Sequence, residues 1–299
     1  MREIKEIEVT GGSVSYQVYF GEIHVTECRV EDALFVIPGE VENMPVTVIG
    51  KKAILGSKLL RELCLPDTVR EIGDWAMAHC KNLKQVMLPR KDIAFGKGVF
   101  KDSGNLENIV FNGEECSGTE ELLAAAPVKL EADYLLAPLE TGEKAWFEKL
   151  DARLMTLLGK PDEEGYSKQV LCGEEDLMAS LELYLQERRR EKARLCYLRL
   201  LNDRELNDDL RRYLEEYLRN HSKGCESEAS WEVVFRERGS ERRYYHCFAT
   251  VGCITSDNFD GLLQDMGDSY PEMKAYLLRY KEQNMSFNET DFFTGLSLD

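Results

Sequence analysis

Histidine and cysteine residues, whose side chains are the usual ligands of zinc, are grouped in the last third of the chain. His221 and Cys225 are four residues apart, His246 and Cys247 are adjacent, and Cys253 follows six residues later. A structural zinc site needs about four thiolate or imidazole ligands, and these spacings match none of the usual zinc patterns. Cys247 and Cys253 also lie in apolar helical context, where free cysteine behaves as a small hydrophobic residue. We therefore predict no metal and no other cofactor.

Other segments contain the residue types of catalytic or phosphate-binding sites without the required arrangement. His79 and Cys80 would supply an imidazole and a thiol, but adjacent side chains seldom face each other as nucleophilic catalysis requires. The glycines of "GGSVSYQ" and "GKGVF" lack the G-x-x-x-x-G-K-[ST] pattern of a phosphate loop. We therefore predict no catalytic residues and no enzyme activity.

The densest basic segment is "QERRREKAR", residues Gln186–Arg194, which would suit an anionic ligand. On a helix, its basic side chains alternate with Glu187 and Glu191 at spacings that allow ion pairs along one face. We predict a solvated, internally paired helix face there and not an anion-binding patch.

The composition restricts the partners and the compartment. The 299 residues include 55 acidic and 38 basic side chains, a formal net charge of −17, which disfavours a nucleic-acid partner because phosphate binding needs clustered positive charge. The first residues contain no apolar signal region, and nothing later approaches a membrane-spanning run. Nine cysteines without CxxC spacing indicate reduced thiols. We expect a cytoplasmic protein with no membrane and no nucleic-acid partner.

The first third of the chain repeats with a period of 23 residues. Apolar and glycine positions recur at this offset in three successive units: Ile49-Gly50, Ile72-Gly73 and Phe95-Gly96; Leu63, Val86 and Ile109; Leu65, Leu88 and Phe111. A fixed period between 20 and 50 residues is typical of stacked structural units. The pattern therefore predicts a solenoid, whose function would depend on a surface and not on a pocket.

Within each unit the spacing L-x-x-L-x-L, as in "LRELCL" and "LKQVML", indicates a short strand. Side chains alternate along a strand, so Leu63 and Leu65 should point inward while Glu62 and Cys64 point outward. Pro66 should end the strand because it has no backbone donor. We expect the glycine of each "IG" pair to supply a permissive turn.

These residues resemble the BspA-like class of bacterial leucine-rich repeats, whose units look like "LxxIxLPxxVxxIGxxAFxxCxxL". The match is "LLRELCLPDTVREIGDWAMAHCKNL", with Met77 where the family usually has phenylalanine and Cys80 at its buried cysteine position. The third unit departs, with Asp92 in place of valine and Asn112 in place of proline. The resemblance covers roughly residues 15–112 and implies a repeat fold with a surface for protein partners.

Two different regions flank the repeats. The alternating segment "SVSYQVYFGEIHVTECRVEDALFVIP" predicts two or three strands that cap the solenoid. After residue 113 the apolar period becomes helical. A weak repeat with an offset of 28 residues relates Trp231 to Phe259 and Gly239 to Gly267. This repeat is similar to degenerate ankyrin-like helix pairs. We predict an α+β chain: residues 1–113 form the β cap and repeats, and residues 114–299 form an all-α helical-repeat domain with helix-turn-helix pairs at 229–283.

The outward strand row is the candidate partner-binding surface. It consists of Glu62, Gln85 and Asn108 on one track and Cys64, Met87 and Val110 on the other. The second track is apolar although it points away from the repeat core, so either a partner or the helical half of the chain should cover it.

We predict a non-enzymatic interaction module for a protein partner. The alternative is an enzyme of unrecognised family with a site between the two halves and His221 and His246 as candidate groups, and a third possibility is homo-oligomerisation through the open end of the solenoid. The acidic tail "NETDFFTGLSLD" is either a frayed terminus or a short docking motif.

Overall fold

The computed structural model of the protein describes residues 3–113, 118–166 and 180–284. The chain forms two compact units, residues Met1–Leu157 and Leu158–Asp299. The predicted boundary at residue 113 marks the change from strands to helices, whereas the compact units divide later because the first helices pack on the repeats. The predicted acidic tail lies outside the described residues.

Unit 1 contains the strands of the described chain. In order they are β1 (Lys5–Val9), β2 (Gly12–Tyr19), β3 (Glu22–Val30), β4 (Leu34–Val36), β5 (Glu40–Val41), β6 (Met44–Ile49), β7 (Glu62–Cys64), β8 (Glu71–Ile72), β9 (Gln85–Leu88), β10 (Ala94–Phe95) and β11 (Asn108–Phe111). Each unit of the repeat supplies one strand to each of two sheets. This confirms the predicted solenoid.

The two sheets follow the repeat in parallel register. The first has the order β1-β2-β3-β6-β8-β10, with β5 paired to β6, and the second has the order β11-β9-β7-β4. Strands β1, β2 and β3 are antiparallel, and β3 pairs in parallel with β6. The predicted N-terminal β cap is therefore confirmed, and it joins the solenoid by continuing one of its sheets.

The interior is formed by the inward side chains of the second sheet. Phe35 pairs with Leu63, Leu63 with Val86, and Val86 with Ile109 in adjacent strands. All four side chains are at most 1% exposed. This column stabilises the fold mainly by removing apolar surface from water, which contributes roughly 25 cal/mol of free energy per Å² buried.

Gly50, Gly73 and Gly96 form a column in which successive turns approach each other more closely than a side chain allows. A Cβ atom on Gly73 would lie 2.6 Å from the Lys51 amide nitrogen and 2.9 Å from the Gly50 carbonyl carbon. None of the three glycines has a positive φ. The expectation of a permissive turn was wrong, because these glycines are needed where backbone passes over backbone.

Left-handed backbone recurs at two other positions of the repeat. The residues with positive φ at these positions are Lys52, Trp75 and Gly98 in one column and Gly56, His79 and Asp102 in the other. Non-glycine residues adopt this conformation at a cost. Hydrogen bonds between turns hold it, as from the Trp75 amide to the Lys97 carbonyl (2.9 Å).

Helical segments cover the C-terminal end of the solenoid. Helix α1 (Glu120–Val128) packs on β11, and a 3₁₀ turn (Asp133–Leu135) and helix α2 (Lys144–Leu158) follow it. The Gly98 amide donates to the Asp133 carboxylate (3.0 Å), and the Trp146 indole donates to the Leu135 carbonyl (3.0 Å). The open end required for homo-oligomerisation is therefore occupied by the chain itself.

The regular elements of unit 2 within the described residues are all helices, joined by turns. Its helices are α3 (Leu181–Leu201), α4 (Asp208–Asn220), α5 (Ala229–Glu232), α6 (Arg242–Thr250), α7 (Phe259–Met266) and α8 (Pro271–Asn284), and a π-helical turn (Val233–Glu237) extends α5. Two helix–glycine–helix pairs are present, as the offset of 28 residues predicts. The likeness to ankyrin repeats is not confirmed.

The core of unit 2 is built around Trp231, which is 2% exposed. Its ring stacks on Phe235 with centroids 5.4 Å apart and meets Tyr245 edge to face. The indole nitrogen donates to the Asp265 carboxylate on α7 (2.8 Å), so the two helix pairs share this buried anchor.

The basic run of α3 is tied to carboxylates on other segments. Lys192, whose side chain is 8% exposed, donates to Asp162 (2.7 Å), and Arg189 donates to the other oxygen of that carboxylate (3.0 Å). Arg194 binds both oxygens of Glu237 at 2.7 Å each. The predicted pairing within the helix is present, from Arg190 to Glu187 (2.7 Å) and from Arg188 to Glu191 (2.6 Å). The predicted solvation of this face was wrong, because Lys192, Arg189 and Arg194 are partly buried and join α3 to its neighbours.

The Asp162 carboxyl is held in its charged form by these contacts. Burial alone would raise its pKa, but the hydrogen bonds from Lys192 and Arg189 outweigh burial and lower the pKa. A carboxyl whose pKa is lower in the folded state contributes stability above the unfolded pKa of about 4. That stability is lost as the pH falls through the folded value.

Replacing Gly73 with alanine tests the glycine column. We expect Gly73→Ala to lower the free energy of unfolding by about 1–3 kcal/mol, because its Cβ would push two backbones apart. The control is Gly104→Ala, since a Cβ there meets nothing within 4 Å. Urea unfolding of both variants measures the difference, and equal effects would contradict the close-approach explanation.

Removing the Asp162 charge tests the ion pairs of α3. We expect Asp162→Asn to lower the free energy of unfolding by about 1–3 kcal/mol at pH 7, because Lys192 and Arg189 lose a charged acceptor. The deficit should shrink as the pH falls below about 4, where the carboxyl becomes protonated first in the unfolded chain and then, at its lowered pKa, in the folded protein.

The matched control is Asp209→Asn, whose carboxylate is 91% exposed and pairs with Arg212 on the surface. Its effect should stay below about 0.5 kcal/mol at every pH. A pH-independent deficit in Asp162→Asn would show that the charge itself contributes nothing.

Candidate functional site

The predicted outward row forms one continuous surface on the second sheet. Glu62, Gln85 and Asn108 are paired in register along one track, and Cys64, Met87 and Val110 along the other. Adjacent strands of a sheet lie about 4.8 Å apart, so each track places a side chain at each successive turn. The structure therefore brings all six predicted site residues together.

None of the six residues is buried. Glu62 is exposed, and the other five are partly exposed. This contrasts with Leu63, Val86 and Ile109 on the same strands, which are at most 1% exposed. The alternation of faces along the three strands is the one that the sequence predicts.

Both tracks are longer than the sequence predicts. Strand β4 adds Val36 to the apolar track, where it pairs with Cys64, and Leu34 to the other track, where it pairs with Glu62. Leu34 is 39% exposed. These two residues were missed because extra residues in the first unit place Val36 at 28 residues from Cys64 and not at 23. The motif "LFVIP" was the signal that could have identified them.

The sulfur atoms of Cys64 and Met87 lie 3.3 Å apart in the middle of the apolar track. Burial raises the pKa of the Cys64 thiol, and the neighbouring Glu62 charge raises it further. The thiol therefore stays protonated at neutral pH and is a packing group and not a nucleophile. The track offers polarizable, adaptable apolar contact.

His79 and Cys80 do not form a catalytic pair. Cys80 is fully buried, and its thiol donates to the Ile54 carbonyl (3.1 Å). Its amide donates to the Ser103 hydroxyl (3.0 Å), which itself donates to the Met77 carbonyl (2.9 Å). Cys80 thus belongs to a buried hydrogen-bond network. His79, in contrast, is exposed, and its Nδ1 atom lies 3.4 Å from the Asp102 carboxylate.

The histidines and cysteines of unit 2 have separate structural partners. The ring of His221 stacks on Tyr217 at 4.1 Å, and Nδ1 of His246 lies 3.1 Å from the Tyr276 hydroxyl. Burial raises the pKa of both the Cys247 and Cys253 thiols to about 12, as expected for thiols that pack in an apolar core. Within the described ranges, no group of three or more histidine, cysteine, aspartate and glutamate side chains is arranged to bind a metal ion.

The cysteines at 28, 64, 80, 196, 225, 247 and 253 are free thiols. Among the helices of the described ranges, none has both the length and the apolar character needed to cross a membrane.

Comparison with known proteins identifies the repeat region. Residues 40–122 match the family model described as BspA type leucine rich repeat region, with six copies. No curated protein matches the chain in sequence.

The similar solved structures include leucine-rich-repeat proteins of bacteria. One from Bacteroides capillosus is 24% identical, covers 36% of this chain and 99% of its own, and has a TM-score of 0.30. A leucine rich cell surface protein from Faecalibacterium prausnitzii is 22% identical over 36% of this chain and 30% of its own, with a TM-score of 0.31.

A third, the leucine-rich repeat protein of T. pallidum, is 21% identical, covers 36% of this chain and 65% of its own, and has a TM-score of 0.28. At these identities the likeness concerns the fold of the repeats alone. Residues 40–122 of this chain are a BspA-type leucine-rich repeat region.

Proposed function

We propose that the chain is a non-enzymatic interaction module that binds a protein partner through the outward row of its repeats. The observation that carries the proposal is the continuous apolar track of Val36, Cys64, Met87 and Val110, which is in register across four strands and is not buried. Contiguous apolar surface that is not buried is typical of an interaction site.

The two tracks have different physical roles in binding. The apolar track supplies contact area, and association there removes apolar surface from water. The polar track of Glu62, Gln85 and Asn108 borders it and provides hydrogen-bond donors and acceptors and one negative charge. Apolar contact would then provide affinity, and the polar side chains would select the partner.

A protein partner fits this surface better than a nucleic acid does. The one charged side chain of the six is the acidic Glu62, and the chain as a whole has a net charge of −17. Phosphate groups would be repelled from such a surface. The free thiols support a reducing compartment, and we propose the cytoplasm. The alternative of an enzyme site between the two halves stays a prediction.

Charge introduced on the row should abolish partner binding without unfolding the protein. We expect the variant Glu62→Lys/Gln85→Lys/Met87→Glu to lose a partner that wild type captures from a lysate of the source organism. With the purified partner, calorimetry should show a Kd at least about tenfold weaker, because charges would be desolvated in an apolar contact. The control is Glu71→Lys, which makes the same net charge change on the exposed Glu71 side chain of the other sheet. Equal capture by the row variant and wild type would refute the proposal.

Charges on adjacent residues of β9 should have very different effects on stability. We expect Met87→Glu to change the free energy of unfolding by less than about 1 kcal/mol, since the side chain is partly exposed. Val86→Glu should cost at least about 3 kcal/mol, because it buries an unpaired carboxylate in the core. Urea unfolding measures both, and a severe loss in Met87→Glu would mean that the row is a packing surface.

A further inference from the structure

A groove of about 850 Å³ lies between α6 and α8 on unit 2. Its α6 wall contains Arg242, His246 and Thr250, and its α8 wall contains Tyr276, Arg279 and Tyr280. Sequence analysis singled out only His246 among these residues, and neither the repeats nor the proposed function uses the groove.

The groove is basic in a strongly acidic chain. Neither Arg242 nor Arg279 forms an ion pair within the described part of unit 2, and Glu272 is the one carboxylate among the described lining residues. This differs from α3, where Arg189, Lys192 and Arg194 are paired with carboxylates. Because neither guanidinium group is ion-paired there, both suit an anionic group.

Ordered aromatic rings form the rest of the lining. The Tyr280 hydroxyl donates to the Ala249 carbonyl (3.0 Å), and the Tyr276 hydroxyl lies 3.1 Å from Nδ1 of His246. The Arg242 guanidinium lies over the Tyr276 ring at 5.4 Å. Fixed rings beside free cations suit a ligand that carries both an acidic and an aromatic side chain.

We propose that the occupant of this groove is the acidic, aromatic segment of residues 285–299 of the same chain. Its sequence "MSFNETDFFTGLSLD" contains three acidic side chains and three phenylalanines and lacks lysine and arginine. The acidic side chains of the segment are opposite in charge to the unpaired arginines. Its phenylalanine rings are suited to packing against the tyrosine rings. The segment directly follows Asn284, which itself lines the groove.

The segment is long enough to fold back along the groove. Arg242 lies beside Tyr276, eight residues before Asn284, which corresponds to about 12 Å along α8. Glu289 is five residues beyond Asn284 and reaches about 17 Å in an extended chain. Binding in the same molecule is favoured, because a short tether gives a high effective concentration.

Proteolysis of the full-length chain tests the proposal. Chymotrypsin cleavage after Phe292 and Phe293 is followed by intact-mass spectrometry for wild type and for Arg242→Glu/Arg279→Glu. We expect cleavage to be roughly fivefold or more faster in the variant, because charge reversal repels the segment. High salt should accelerate cleavage of wild type and leave the variant unchanged.

A matched control and a charge exchange separate docking from misfolding. Arg212→Glu/Arg236→Glu carries the same charge change on two exposed arginines of unit 2, and its cleavage should match wild type. Adding Glu289→Lys/Asp291→Lys to Arg242→Glu/Arg279→Glu should restore slow cleavage, which a misfolded variant would not do.

Three outcomes would overturn the proposal. Equally fast cleavage in wild type and Arg242→Glu/Arg279→Glu would show that the segment is not docked. Equally slow cleavage in both would show that a part of the molecule other than this groove protects the segment. Protection that increases with protein concentration would assign the groove to the segment of a second copy. Because the row variants of unit 1 are not used, these results are independent of the proposed partner binding.

Discussion

The spacing between successive turns of the solenoid is the constraint on which the rest of unit 1 depends. At Gly50, Gly73 and Gly96 one backbone passes directly over the next, and a side chain would separate them. This contact fixes the register of both sheets, so that Leu63, Val86 and Ile109 stack in the core. The same register aligns the outward tracks, and the candidate surface is a consequence of it.

The features that repeat could be predicted from the sequence, whereas those that depend on contacts at the ends could not. The 23-residue period identified the inward and outward faces because each unit has the same geometry. Val36 was missed because the first unit carries extra residues, although its strand still pairs with β7. The packing of α1 on β11 could not be predicted, because the apolar period of a helix does not indicate which surface that helix contacts.

The reasons for individual residue types were harder to infer than the elements. The glycines were expected to supply turns, but residues such as Trp75 and His79 adopt the left-handed conformation instead. In unit 2, the charge pattern of α3 suggested pairing along its own face. The basic side chains of α3 also pair with Asp162 and Glu237, which are distant in sequence. Only the folded chain therefore shows that these ion pairs hold neighbouring segments together.

The caps pack on the two ends of the solenoid, β3 on β6 at one end and α1 on β11 at the other, and Glu22 of β3 also pairs with Arg70 in the next turn. A whole 23-residue unit inserted between them would leave both caps with their present neighbours. Each such unit would lengthen the outward row by two side chains and about 4.8 Å. The size of the proposed binding surface can therefore change in discrete steps through the number of units, whereas single substitutions would change its chemistry without changing its length.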